Sequence, residues 1–399
     1  MDLCAGLTPG GYLAAVAKRL PNRSGTAVRL AMLCMAWLLA GCSTSATNFS
    51  QFAGFAQYRA AHPPREAPPT EQEQQLLQQF RPRLYLPPGH AGLIDFYRDY
   101  IAQGYLTDGM GRSVEPPITQ ALLNAHKHDP KAVFAHRPDP GVPGRATVLA
   151  RIDRDTLRSG GVEHALTFLT YHAVFRHSGL VAGLDAWIDT LAGLFIDLRD
   201  WHQLDHYTAA TVVLDASQRP IALVLQQHNY HHTHVFGAVL PRPLDGRVGL
   251  DVALRSNELY PHAPGRVLHR AARFGSPQEL RYLMGFGDKP LIAGQDITHG
   301  QHEVAYRLDF LPPADAFYTF QGFLGERRRL PGRDGPPGAD YNTLPELKSP
   351  VAQMLMGFWR AGNASDLGRL EASYFKTGRP IDFVQAQTQI FVKAAGLAP

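Results

Sequence analysis

The chain has 399 residues, with 39 Lys and Arg against 35 Asp and Glu, 18 His and three Cys. So even a balance supplies no concentrated basic face, which excludes nucleic acid as an expected partner. The 45% hydrophobic content is enough to bury one or two cores.

The first readable segment is a leader. Lys18, Arg19, Arg23 and Arg29 precede an apolar run from Leu30 to Ala40, about half the roughly 20 residues needed to span a bilayer. The run closes on Leu38-Leu39-Ala40-Gly41-Cys42, with small residues just before the cysteine. This arrangement resembles the prokaryotic lipoprotein signal. The resemblance implies that Cys42 takes diacylglycerol, that residues 1–41 are removed, and that acylation holds the protein at a membrane. Ser43, in place of Asp, implies sorting to the outer membrane, as in enterobacterial lipoproteins. A turn of small residues ending a buried helix is the structural alternative. Met1 leaves an unusually long basic region, so translation is expected to start later, at Leu20 or Val28.

Without residues 1–41, Lys plus Arg falls to 35 and Asp plus Glu to 34. Cys4 and Cys34 leave with the leader and Cys42 is acylated. No thiol then remains for a disulfide, even in the oxidising bacterial envelope, and stability must come from a packed core. No later segment is long enough for a transmembrane helix, so the lipid is the expected membrane attachment.

Residues 42–75, rich in Ser, Thr, Gln and Pro, read as a flexible tether, with folding starting near Glu71 and a globular body over 76–399. Leu93, Phe96, Tyr97, Tyr100 and Ile101 recur at helical spacing and Gly104 closes the stretch, predicting a helix over 91–103. Pro and Gly from Arg137 to Gly144 mark a loop. Alternating or β-branched runs then predict strands over 146–152, 165–175, 207–214, 221–227, 248–254 and 304–310. Trp187, Ile188, Leu191, Leu194, Phe195 and Leu198 share one face of a helix whose polar side carries Asp185, Asp189 and Asp197, which suits packing on a sheet better than a membrane surface. Residues 351–359, 366–375 and 381–395 read as helices. The expected fold class is α+β: a central, mostly antiparallel sheet or β-sandwich over about 146–310, peripheral helices, and a helical C-terminus over about 345–396.

Ten of the 18 histidines fall between His164 and His262, most densely from His228 to His234. Neutral imidazole is the commonest protein ligand for zinc, copper and nickel. The runs Val212-Val213-Leu214 and Ile221-Ala222-Leu223 flank a turn-rich link, Asp215 to Pro220, and should form a hairpin. If Leu214 faces Ile221, Tyr207 faces His228 and Asp205 faces Tyr230, placing Asp205, Tyr207 and His228 on one face. His202 enters the same strand three residues before Asp205. His202, Asp205 and His228 are therefore the candidate ligands of a divalent metal ion. The same residues also fit a metal-free acid/base group, or an ordinary cross-strand pair beside a solvated loop over His231–His234. His206 alternates to the other face, and His172 and His177 could approach from a neighbouring strand.

The order Tyr171-His172-Ala173-Val174-Phe175, His202-Gln203-Leu204-Asp205-His206-Tyr207, then Val224-Leu225-Gln226-Gln227-His228 resembles the sheet core of the necrosis- and ethylene-inducing (Nep-like) proteins. There a G-H-R-H-D-W-E segment precedes a strand and a later strand ends in S-A-H. The resemblance implies a β-sandwich holding a divalent cation, with His202, Asp205 and His228 at the matching positions. Leu204, His206 and Tyr207 depart from the pattern, the last replacing an acidic ligand.

His299 and His302 form H-x-x-H, but the following residues alternate like a strand, which would separate them. Glu258 or His262 could reach the central site. Nucleophile-elbow, Walker, H-E-x-x-H and dinucleotide glycine motifs are absent from the sequence. Three readings follow: a non-enzymatic envelope lipoprotein binding a metal ion or small ligand, a metal-dependent hydrolase of envelope material, and a purely structural role.

Overall fold

The computed structural model describes residues 63–114, 117–136, 146–179, 199–227, 230–243, 245–265, 267–270, 295–298, 300, 302–328, 333–341, 349–360 and 383–397. Cys42, His228 and the helices expected over 187–198 and 366–375 lie outside the described residues.

Helix α1 (Glu71–Gln79) begins inside the stretch expected as tether. Thr70 starts it with a reciprocal cap: Thr70 Oγ1 accepts the Glu73 N–H and the Glu73 carboxylate accepts the Thr70 N–H. The same carboxylate receives Arg65 and Arg154, which ties the helix start to the sheet. Strand β1 (Arg83–Leu86) follows. The helix expected over 91–103 is shorter than its periodicity suggests, a single π-helical segment, Phe96–Ile101, capped by Asp95. Gly92, at φ +87°, keeps the preceding residues out of it. Strands β2 (Gly104–Thr107) and β3 (Ser113–Val114), helix α2 (Gln120–Ala125) and strand β4 (Val133–His136) come next.

Strands β5 (Thr147–Ser159) and β6 (Val162–Ser178) extend well beyond the apolar runs that announce them. Gly160 and Gly161, both at positive φ, close them as a two-residue hairpin of the kind that matches strand twist. Strands β7 (His202–Leu214) and β8 (Pro220–Gln227) pair from Thr208↔Gln227 to Val213↔Ala222, the register expected from the sequence, with an irregularity at Leu214↔Pro220. Strand β9 (Tyr230–Val235) pairs along β8 and takes in His231–His234, for which a solvated loop is one of the readings. The rest of the sheet system is β10 (Gly249–Val252), β11 (Leu259–Pro261), β12 (Val267–Arg270), β13 (Gln295–Thr298), β14 (His302–Glu303), β15 (Arg307–Phe310) and, after helix α3 (Ala316–Thr319), β16 (Phe323–Leu324). Helices α4 (Pro350–Arg360) and α5 (Phe383–Ala395) complete the α+β fold.

The central sheet runs β15-β5-β6-β7-β8-β9, antiparallel except for the parallel β15–β5 pair. Both of its faces are covered, so β6, β7 and β8 bury apolar side chains on both sides. One face (Val148, Ala150, Leu169, Tyr171, Val212, Leu225) packs on Leu84, Leu250, Val252 and Leu259 of the sheet β11-β10-β1-β14, making a two-sheet sandwich. On the opposite face, Leu149, Val174 and Leu204 pack on Phe96, Phe134 and Phe317, while Phe168, Val213 and Val224 pack on Met354, Leu355 and Phe391 of α4 and α5. Burying each large apolar side chain contributes about 1.5–3 kcal/mol. Among the described residues, no helix is long and apolar enough to cross a membrane.

Candidate functional site

The first polar group sits where β7 leaves regular geometry. Pairing with β6 runs regularly to Ala173↔Thr208 and resumes at Phe175↔Asp205, so His206 and Tyr207 together oppose Val174. Such a bulge re-aims side chains. Leu204, at φ +59°, adds a second departure beside it.

Asp205, paired with Phe175, is fully buried against the sandwich layer, and its Oδ2 accepts the Asn257 side-chain N–H at 2.8 Å. Asn257 comes from the loop joining β10 to β11, at φ +58°, a conformation Asn tolerates better than most residues. Its amide also donates to the His177 carbonyl at 2.9 Å, and its oxygen lies 3.0 Å from His90 Nε2. His90 Nδ1 accepts the Gly92 N–H, so Nε2 carries the proton and donates to Asn257. Burial pushes His90 down to about 4, with Asn257 and the Asp205 charge pulling the other way.

His202 pairs with Ser178 and is buried. Its Nδ1 lies 3.0 Å from the Leu204 carbonyl, which fixes the proton there and leaves Nε2 with the lone pair. Leu204, between His202 and Asp205, has φ +59°, so the alternation of a regular strand does not govern how the two side chains are disposed. His228, the third expected ligand, lies outside the described residues. Among the described residues, no group of three His, Cys, Asp or Glu side chains is placed to hold a metal ion.

The remaining histidines sort by strand face. His206, as expected, points away from Asp205: its Nε2 donates to the Pro337 carbonyl at 2.7 Å and its ring meets the Phe317 edge. His172 packs on Phe317 and Tyr318, and burial pushes it down to about 3. His177 contacts Asp200 at 3.0 Å; burial alone would raise the Asp200 carboxyl, but His177 and Arg328 hold it well below the usual range. His232 and His234 face the same way on β9 with ring centroids 5.5 Å apart, and burial, then the His232 charge, pushes His234 down to about 4.

Glu258 and His262 do not enter the central site. Glu258 accepts the Tyr260 hydroxyl, and His262 pairs with Asp251 on the outer face of the smaller sheet. Asn257, between them, makes the contact instead. Its only sequence signal is its position in a hairpin loop, since its partners lie 52 and 167 residues away.

Comparison with protein-family models, with curated proteins and with solved structures returned no match.

Proposed function

We propose that the chain is an exported lipoprotein, acylated at Cys42 and anchored by that lipid, with the outer membrane as its site and, in the α+β body, a non-enzymatic site at His202, Asp205 and His228 for a divalent cation or small ligand. The observation that carries the anchor is the sequence Leu38-Leu39-Ala40-Gly41-Cys42 behind a basic and then an apolar segment. For the cation, support comes from His202 and Asp205, an imidazole and a carboxylate both buried at the entry to β7 three residues apart, the two kinds of group that zinc takes as ligands. His228 is the third proposed ligand, in line with the resemblance to the Nep-like core.

Metal analysis of the purified full-length protein tests this reading, with His202→Ala and His228→Ala beside the wild type. Stoichiometric metal that both variants lose supports it. A metal-free wild type overturns it. Metal kept by both variants but lost in a His232→Ala, His234→Ala double variant moves the ion to β9 and also overturns the proposed ligand set. The metal-dependent hydrolase reading uses the same ligands with water at an open position, and requires ester or phosphodiester turnover that a chelator abolishes.

A further inference from the structure

The outer face of the four-stranded sheet carries a second polar group, held from three directions. Leu84, Leu250 and Leu259 point into the sandwich, so alternation sends Arg83, Tyr85, Gly249, Asp251, Tyr260 and His262 outward. Asp251 is nonetheless fully buried. Its Oδ1 lies 2.7 Å from His262 Nδ1 and its Oδ2 accepts the Ala263 N–H at 3.0 Å. The carboxylate therefore fixes the proton on Nδ1 and leaves the Nε2 lone pair for chemistry, while the His262 side chain stays 27% exposed.

Two glycines make the arrangement fit. Gly249 lies between His262 and β1, and a Cβ there would meet His262 Cβ at 3.0 Å and Tyr85 Cε2 at 3.3 Å. Its bare backbone lets the imidazole lie across β10 and stack on Tyr85, with centroids 3.9 Å apart and planes 16° apart. Gly300 closes the other side: a Cβ there would fall 2.1 Å from Asp251 Oδ1 and 2.5 Å from Tyr85 Cβ. A surface histidine in a chance ion pair needs none of this.

We propose that Asp251 and His262 form a general-base dyad that activates water against a carboxylic ester. His262 Nε2 takes a proton from water as the water oxygen bonds to the acyl carbon, and the carbonyl electron pair moves onto its oxygen. When this adduct collapses, the bond to the alcohol oxygen breaks with its electron pair, and that oxygen receives the proton from His262. Ester and water become acid and alcohol, and the ring regains its starting tautomer. Water is the nucleophile because His262 has no Ser, Thr or Cys hydrogen-bond partner among the described residues. An ester fits because its leaving alcohol oxygen needs the one proton that His262 takes up; Arg83, in the same cross-strand row as Gly249 and His262, is paired with Asp245 and lies 4.0 Å from Glu303. On the same face Tyr85 stacks on the His262 ring and Tyr260, buried, lies opposite Asp251.

The test is hydrolysis of p-nitrophenyl acetate and butyrate by the full-length protein with chelator present, which separates this activity from a metal-dependent one. The expected result is saturable turnover that His262→Gln lowers by about 10²-fold or more, the usual contribution of a general base. Asp251 acts as a positioning residue, so Asp251→Asn should lower kcat with KM unchanged and shift the His262 ring proton from Nδ1 in nitrogen-edited NMR. Diethyl pyrocarbonate should modify His262 and abolish turnover in step. Wild-type hydrolysis no faster than that of a folded His262→Gln protein overturns the proposal, as does a His262 ring protonated on Nε2 alone. If Asp251→Asn fails to fold, the His262→Gln comparison and the ring tautomer still decide.

Discussion

Asn257 joins Asp205 to His90: its amide nitrogen donates to the buried carboxylate at 2.8 Å, and its oxygen accepts the His90 Nε2 proton at 3.0 Å. The bridge spans both layers of the sandwich, since Asp205 belongs to the central sheet and Asn257 to the hairpin β10–β11 of the smaller one. Asn257→Gly keeps the positive φ but removes the amide, and a hydrogen bond to a charged group is worth about 1.5–3 kcal/mol. Asn257→Ala adds left-handed backbone strain of about 1–2 kcal/mol. Urea titration should therefore rank the wild type above Asn257→Gly and Asn257→Gly above Asn257→Ala.

Four histidines make the fold sensitive to acid. Burial pushes His90, His206 and His234 down to about 4 and His172 to about 3, so each is neutral in the fold at pH values where the unfolded chain is protonated. A lowered folded-state value means that stability is complete above about 6.5, the unfolded value, and is lost as pH falls from there toward 4. Urea midpoints between pH 7 and pH 4 should drop steadily over that window. His90→Gln should make the slope shallower by one proton's share.

Gly300 separates steric from conformational cost. Gly300→Ala puts a methyl into Asp251 and Tyr85, and overpacking of this kind costs about 1–3 kcal/mol. Gly89→Ala meets no neighbour within 4 Å, so only its φ of +81° opposes it. Both should lower the melting temperature, but only Gly300→Ala should break the Asp251–His262 hydrogen bond, as read from the His262 ring proton.

The anchor has its own test. Cys42→Ser should leave uncleaved precursor and abolish labelling by a palmitate analogue, while the folded body keeps its melting temperature.

The β7–β8 ribbon was legible because its apolar runs are bounded by a turn whose Asp215 carboxylate accepts the Ser217 and Arg219 N–H groups, a local device written in local residues. The long β5–β6 hairpin was only half legible. Its outer part carries Asp153, Arg154 and Asp155, which look like loop residues until Arg154 is seen to pair with Glu73 and Asp155 with Ser349. Strand β9 was missed for the opposite reason: His231 to Val235 has no apolar alternation, and it is β8, already in place, that supplies its pairing. A signal for the Asp251–His262 pair was present in Gly249-x-Asp251 and Tyr260-x-His262. Read as a hairpin, these bring His262 beside Gly249. What no spacing could reveal is the approach of Gly300 from another strand connection, or the reach of Asn257 to β7.

One short hairpin thus serves as a common mount. The tip of β10–β11 is latched to β6 and β7 through Asn257 and through the Gly179 N–H to Arg255 carbonyl bond, while its stem carries Asp251 and His262. Asn257 therefore fixes where the whole hairpin sits, and with it where the Asp251–His262 pair stands on the smaller sheet.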